Sequence, residues 1–231
     1  MERSLSHPCL SGFWSGRVNC DACRAPAIMP LQPVRKFLAS RALLEAEAYS
    51  LPAGADLFHI DDPADSIFSI RAGFMKLWRT DCAGRTRIVR LLGPGNIAGL
   101  DAMVQSSYGL TASAITPCQL CMIPRSLLEH TMHEHPQVRY EIERRWHAQL
   151  AQTDRLLLDV VVGPARERVT NLLVYLAELA APEPCPRVRR LDMAALLDIA
   201  PETAARVIAD LKRASLLQET AEHLLFDSQK L

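Results

Sequence analysis

The chain has 231 residues; 26 Lys+Arg balance 26 Asp+Glu, 49% of residues are hydrophobic and 23% are charged. These proportions exclude a disordered, collagen-like or low-complexity chain. They also give no global electrostatic case for binding nucleic acid, so any such role must rest on local geometry.

No apolar run approaches the ~18 uninterrupted residues of a membrane span. The best, Leu156 to Val162, contains Asp159. The N-terminus lacks the basic region and apolar run of a signal peptide, so the expected location is the cytoplasm, with no membrane partner. Seven cysteines stand at Cys9, Cys20, Cys23, Cys82, Cys118, Cys121 and Cys185. In a reducing compartment they argue for metal or redox chemistry over a disulfide framework.

Residues 1–33 read as a cysteine-bearing loop segment, because Pro8, Gly12, Gly16, Pro26, Pro30 and Pro33 break any long helix. Residues 34–48 carry Val34, Phe37, Leu38, Leu43 and Leu44, spaced for short amphipathic helices. From Leu51 to Ile123 short apolar runs alternate with turn signals. The runs are Asp56–Ile60, Ser66–Ile70, Phe74–Trp78, Thr86–Leu92, Thr111–Ile115 and Gln119–Ile123. Strands at this spacing predict a β-barrel or β-roll, placed in a domain over residues 34–135.

Pro136 to Val162 has no internal Gly or Pro and predicts a helix ~40 Å long. Val138, Ile142, Trp146, Gln149, Thr153, Leu156 and Val160 recur every three or four residues, a heptad-like stripe. The stripe fits a dimer seam over residues 136–163 or a helix packed on its own barrel. Leu150, Thr153 and Leu157 are the expected seam residues. His130, His133 and His135 with Glu134 have the residue types of a metal site, but Pro136 follows at once and the preferred reading is a solvated loop.

Gly163-Pro164 ends the long helix and opens a second domain, residues 164–231. A helix is predicted over Ala165–Leu179, then a proline breaker, then a short strand over Val188–Leu191. Asp192 reads as the N-cap of a helix, Asp198-Ile-Ala200 as a tight turn, and Pro201 as the first residue of a second helix. Ile199, Ala204, Val207, Ile208 and Leu211 would face the core. That leaves Glu202, Thr203, Ala205 and Arg206 outward, where a helix-turn-helix meets base edges. Leu216-Leu217 and Leu224–Phe226 read as a two-stranded wing turning at Ala221-Glu222. Arg187, Arg189, Arg190, Lys212 and Arg213 are candidate phosphate contacts. The alternative is an ordinary helical hairpin with solvated charges. No catalytic triad, phosphate loop or paired-acid motif is present, so an enzyme is not expected.

An α+β chain with a cyclic-nucleotide-binding-like β-roll, a long helix and a C-terminal winged helix-turn-helix resembles the CRP/FNR family of bacterial transcription regulators. Gly93-Pro-Gly-Asn-Ile-Ala-Gly-Leu-Asp-Ala-Met103, Cys121-Met-Ile-Pro124 and Pro201-Glu-Thr-Ala-Ala-Arg206 are similar to its FNR branch. The resemblance runs from about residue 18 to the end. It implies a homodimer on palindromic double-stranded DNA that contacts RNA polymerase as an activator.

Cyclic-nucleotide binders of the family carry a Gly-Glu-Leu segment and an Arg-Ser pair. Here Gly99-Leu-Asp101 and Thr111-Ala-Ser113 stand instead, so the charge-assisted phosphate grip is missing and cAMP is not expected. The FNR branch holds a 4Fe–4S cluster on four cysteines. By that pattern Cys20, Cys23 and Cys121 are ligands, and Met29 stands where a third N-terminal cysteine is usual. Cys9 replaces it in the preferred assignment. Cys118 is the alternative, although on a strand it and Cys121 point to opposite faces. The expected signal is oxygen or nitric oxide; a cluster-free or haem-binding regulator of the same fold is the alternative. Cys82 and Cys185 are expected to be dispensable. Many FNR-branch proteins have Asp at the position of Thr153, whose paired charges oppose dimerisation. They usually have Ser at the position of Ala205, so a different half-site is expected here.

Overall fold

Two periodicities divide the chain, one of strands and one of helices. The computed structural model describes residues 13–17, 47–228 and 230. The strands are β1 (Phe13–Arg17), β2 (Glu47–Leu51), β3 (Asp56–Phe58), β4 (Ser66–Ala72), β5 (Met75–Thr80), β6 (Thr86–Leu92), β7 (Ile97–Ala98), β8 (Thr111–Ala114) and β9 (Cys118–Pro124). They form two antiparallel sheets in the orders β1-β2-β9-β4-β7 and β3-β8-β5-β6. Leu57, Phe68, Ile70, Met75, Leu120 and Tyr108 belong to one buried cluster inside this roll. The ring of Tyr108 stacks on Phe58 with centroids 3.8 Å apart, and its hydroxyl donates to the Ser66 carbonyl at 2.7 Å. Burial pushes the Tyr108 phenol well above its usual range. Glu47 and Ala48 lie in β2 rather than in the helix expected over residues 34–48; residues 34–46 lie outside the described part.

Helix α1 (Arg125–Glu134) follows β9 directly, where the three histidines suggested a loop. Its buried Leu127, Leu128, Thr131 and Met132 recur at helical spacing. Helix α2 (Pro136–Arg155) continues into a π-helical turn (Leu156–Val160), so the predicted long helix is present with its last turn widened. Val138 and Ile142 are fully buried in the roll's cluster, and Trp146 packs against it. Leu156 and Val160 enter a second cluster below. The heptad-like stripe therefore faces this chain's own core. Gln149 explains part of that choice. Buried at the roll, it accepts from Ile97 N–H and donates to the Ile97 carbonyl, both at 3.0 Å, finishing the hydrogen bonding of β7. Arg145 donates to the Gly95 carbonyl at 2.9 Å. The Gly93–Met103 segment is thus where roll and long helix are fastened together.

The C-terminal unit contains α3 (Ala165–Ala180), β10 (Cys185–Pro186), α4 (Arg190–Leu197), α5 (Pro201–Arg213), β11 (Leu217–Glu219) and β12 (His223–Phe226), with its sheet in the order β10-β12-β11. The strand expected over Val188–Leu191 is absent. The extended backbone lies earlier, at Cys185–Pro186, and α4 has begun by Arg190. Its second cluster joins Val169, Leu172 and Leu173 of α3 to Leu197, Ile208 and Leu211. Burying each such side chain contributes about 1.5–3 kcal/mol. Ile88 and Leu91 of β6 belong to the same cluster, so the outer face of the β5–β6 hairpin is part of this unit's floor. Among the described residues no helix is long and apolar enough to cross a membrane.

Candidate nucleic-acid interface

Asp198 closes α4 in the left-handed conformation, φ 52°. Asp tolerates that region better than most residues. Pro201 opens α5 at a position where no N–H is needed. Arg168 of α3 donates to the Leu197 carbonyl at 2.6 Å and holds the end of α4. Ala204, Val207, Ile208 and Leu211 are buried, as their spacing requires. The opposite side of α5 presents Glu202, Ala205 and Arg206 to solvent, with Thr203 half-buried beside them. Arg206 forms no ion pair with another described residue. The two-stranded wing follows, β11 with Leu217 opposite Phe226 of β12.

Asp192 does not cap α4. The N-cap is Arg189, and its side chain makes no capping bond. The Asp192 carboxylate is engaged elsewhere: it accepts from Lys76 of β5 at 2.5 Å and from Arg189 at 2.8 Å. Burial would raise its pKa, but the hydrogen bonds from Arg189 and Lys76 outweigh that and hold it below the usual carboxylate range. A second bridge ties the helix-turn-helix to the roll, Arg87 of β6 to Asp198 at 2.5 Å. That hydrogen bond is the main reason the Asp198 pKa is lowered. The apolar run Phe74–Trp78 conceals Lys76; a lone lysine in a buried strand is itself the signal that a carboxylate must come from elsewhere.

The candidate phosphate contacts all have carboxylate partners. Arg187 at 2.9 Å, Arg190 at 2.7 Å and Lys212 at 3.1 Å converge on Glu219 of β11. Burial pushes Glu219 up, and the cations around it bring its pKa below the usual value. Arg189 pairs with Asp192, and Arg213 with Asp210. No spacing rule pointed to Glu219, because its partners come from two separate stretches, residues 187–190 and the end of α5.

Of the seam residues, Leu150 and Leu157 are 50% and 57% exposed, while half-buried Thr153 donates its hydroxyl to the Gln149 carbonyl. Leu158 and, just past the helix end, Val162 are exposed apolar residues as well. Cys9, Cys20, Cys23 and Met29 lie outside the described residues. Cys121 is buried in β9, and Cys118 lies in the roll's cluster three residues before it. The Cys118 thiol is directed at the Phe74 and Thr116 carbonyls, and burial pushes its pKa up to about 12. Cys82 is exposed in the β5–β6 turn, and burial raises buried Cys185 to about 12. Among the described residues no group of three or more His, Cys, Asp or Glu is arranged to hold a metal. Ser113, near the family's Arg-Ser position, donates to Asp56 at 2.5 Å and accepts from Trp78 Nε1 at 2.6 Å.

A family profile described as a cyclic nucleotide-binding domain matches residues 49–135. The transcriptional regulatory protein btr of Bordetella pertussis is 23% identical over 87% of this chain and 86% of its own length. The transcriptional activator protein anr of Pseudomonas aeruginosa is 26% identical over 93% of this chain and 91% of its own. Among solved structures, FixK2 from Bradyrhizobium japonicum superposes with a TM-score of 0.67 at 22% identity, covering 80% of this chain and 94% of FixK2. A CRP-family regulator from Thermus thermophilus gives 0.66 at 18% identity, covering 78% and 93%. A profile match over the roll, regulator relatives along most of the chain and the same fold in solved regulators agree: the chain is similar to transcription regulators of the CRP/FNR family.

Proposed function

We propose that the chain binds palindromic double-stranded DNA as a homodimer, with the two α5 helices in major grooves one helical turn apart. The observation that carries this reading is the outward face of α5. It sets Glu202, Thr203, Ala205 and Arg206 at the N-terminal end of a helix packed by its other side, and Arg206 keeps its guanidinium unpaired. Arg206 would read guanine in bidentate fashion, and Glu202 would accept from a cytosine amino group. Ala205 offers a base only its methyl group. The exposed Leu150 and Leu157, with Thr153 between them, support a second copy as dimer partner. A role as activator follows the description of the P. aeruginosa relative as a transcriptional activator protein; contact with RNA polymerase is what the family resemblance implies.

The finer reading is that oxygen or nitric oxide is sensed by a 4Fe–4S cluster on Cys9, Cys20, Cys23 and Cys121. Four thiolates are the right donor set for such a group, and Cys121 sits on the roll's sheet beside the strands that carry the long helix. When bound, the cluster supplies a centre that reacts with either gas. It can shift the dimer only by its differential stabilisation of one state. Cyclic nucleotide has no part in this reading, since Gly99-Leu-Asp101 and Thr111-Ala-Ser113 lack the family's charge-assisted phosphate grip and the Ser113 hydroxyl is engaged by Asp56 and Trp78.

The test is binding to a selected palindrome and to random DNA at fixed salt. Arg206→Ala should cost about 1–3 kcal/mol on the palindrome and relax one base position per half-site. Equal losses on both DNAs would refute base reading. Anaerobic reconstitution tests the cluster: Cys20→Ser and Cys121→Ser should each lose iron and sulfide. A full cluster in either variant, or a sharp Soret band in wild type, would overturn that part alone.

A further inference from the structure

The two units leave a cleft of about 890 Å³ between them. Pockets of this size, set between domains, are where small ligands are usually held. On the roll side it is walled by Arg71, Ala72, Phe74 and Ile115; on the other side by Leu179, Ala180 and the proline loop after α3. The walls are mainly apolar; of their two arginines, Arg187 is paired with Glu219, while Arg71 has no such partner among the described residues. The Nε of Arg71 is buried without a hydrogen-bond acceptor. No ion pair joins its guanidinium to another described residue. Arg71 as a whole is only half-buried and lines the cleft, so an incoming anion would reach its terminal N–H groups.

We propose that this cleft binds a small amphipathic monocarboxylate, its carboxylate on Arg71 and its apolar body against Phe74, Ile115 and Leu179. Arginine's planar fork matches a carboxylate in bidentate geometry. The restriction to one negative charge follows from the mouth, where Glu183 and Glu222 are exposed and the other lining arginine, Arg187, is already held by Glu219. Because both units form the walls, an occupant contacts both, and any difference in its affinity between two arrangements of the units would be transmitted to the helix-turn-helix. The site lies outside the packed interior of the roll.

The experiment is calorimetric titration of the full-length protein without DNA, so its outcome does not depend on the DNA-binding reading. Decanoate is the probe, with 1-decanol as the uncharged and decanedioate as the doubly charged control. Decanoate should bind saturably at one site per chain, and both controls about tenfold or more weaker. Arg71→Gln should weaken decanoate about tenfold or more, the range for a hydrogen bond to a charged group. Ala53→Trp, on an exposed loop at the cleft edge, should block binding without touching the core. Absence of saturable binding, equal binding of 1-decanol, or unchanged affinity in both variants would overturn the proposal.

Discussion

Removing either partner of the Lys76–Asp192 pair should not cost the same. Both side chains are buried, at 7% and 5% residue exposure, and one belongs to the roll and the other to the helix-turn-helix. In Asp192→Leu the Lys76 ammonium stays buried without its carboxylate or any acceptor at that position, facing the Trp78 ring 5.9 Å from the centroid. An uncompensated buried charge of this kind costs about 3–5 kcal/mol. In Lys76→Met the carboxylate keeps both bonds from Arg189, at 2.8 and 3.3 Å. Only one charge-assisted bond is lost, about 1.5–3 kcal/mol. The double variant Lys76→Met/Asp192→Leu removes both charges and returns Arg189, whose side chain is already 61% exposed, to water. It should lie within about 1 kcal/mol of wild type, because apolar replacement of a buried pair is often close to neutral. Urea unfolding followed by circular dichroism, extrapolated linearly to water, measures all four proteins. A coupling energy below about 0.5 kcal/mol, or a larger loss in Lys76→Met than in Asp192→Leu, would refute the asymmetry.

The depressed Asp192 pKa sets a pH dependence: its contribution is complete above the unfolded value near 3.9 and is lost as pH falls through the lower folded value. The urea midpoint of wild type should therefore fall more steeply below about pH 4 than that of the double variant, and parallel curves would contradict the assignment. Gly73→Ala should destabilise the roll by about 1–3 kcal/mol, because φ is +84° and a Cβ would lie 2.2 Å from the Pro117 carbonyl oxygen; an unchanged melting temperature would be inconsistent with that contact. Sedimentation at micromolar concentration should find the apo protein dimeric, since Thr153 brings no charge to the seam, and Leu157→Glu monomeric. A monomeric wild type sinks the first expectation, and a dimeric variant the second.

The sequence made visible what depends on local periodicity. The outward and inward faces of α5, the turn at Asp198 and the wing all follow from spacing within twenty-odd residues. Contacts between distant segments were not visible. The stripe of α2 has the period of a dimer seam, yet period alone does not say which surface it meets. Gln149 and Val138 meet this chain's own roll, while Leu150 and Leu157 are left exposed. Asp192 has the type and position of an N-cap, but its carboxylate is drawn to a lysine 116 residues away. Strand Val188–Leu191 failed for a related reason: the apolar residues were real, but the ladder with β12 is made earlier, at Cys185 and Pro186. The thiolate chemistry expected of Cys9, Cys20 and Cys23 lies outside the described residues, so spacing alone still carries it.

Zero net charge and a DNA-binding reading are compatible because the cations near α5 are held in pairs. Arg187, Arg190 and Lys212 share Glu219, which is only 11% exposed in its side chain, while Arg187 and Lys212 are 50% and 47% exposed. Such half-exposed pairs contribute little to stability, so a phosphate can draw these side chains away at small cost. Until it does, each positive charge is largely cancelled beyond a Debye length of about 8 Å. Non-specific attraction, which depends on uncompensated charge, is thereby kept low. Arg206 is arranged the opposite way: unpaired, exposed and on the helix face that would meet base edges. On the proposed reading, that division places discrimination in α5 and leaves the wing and its neighbours to fix orientation once a site has been found.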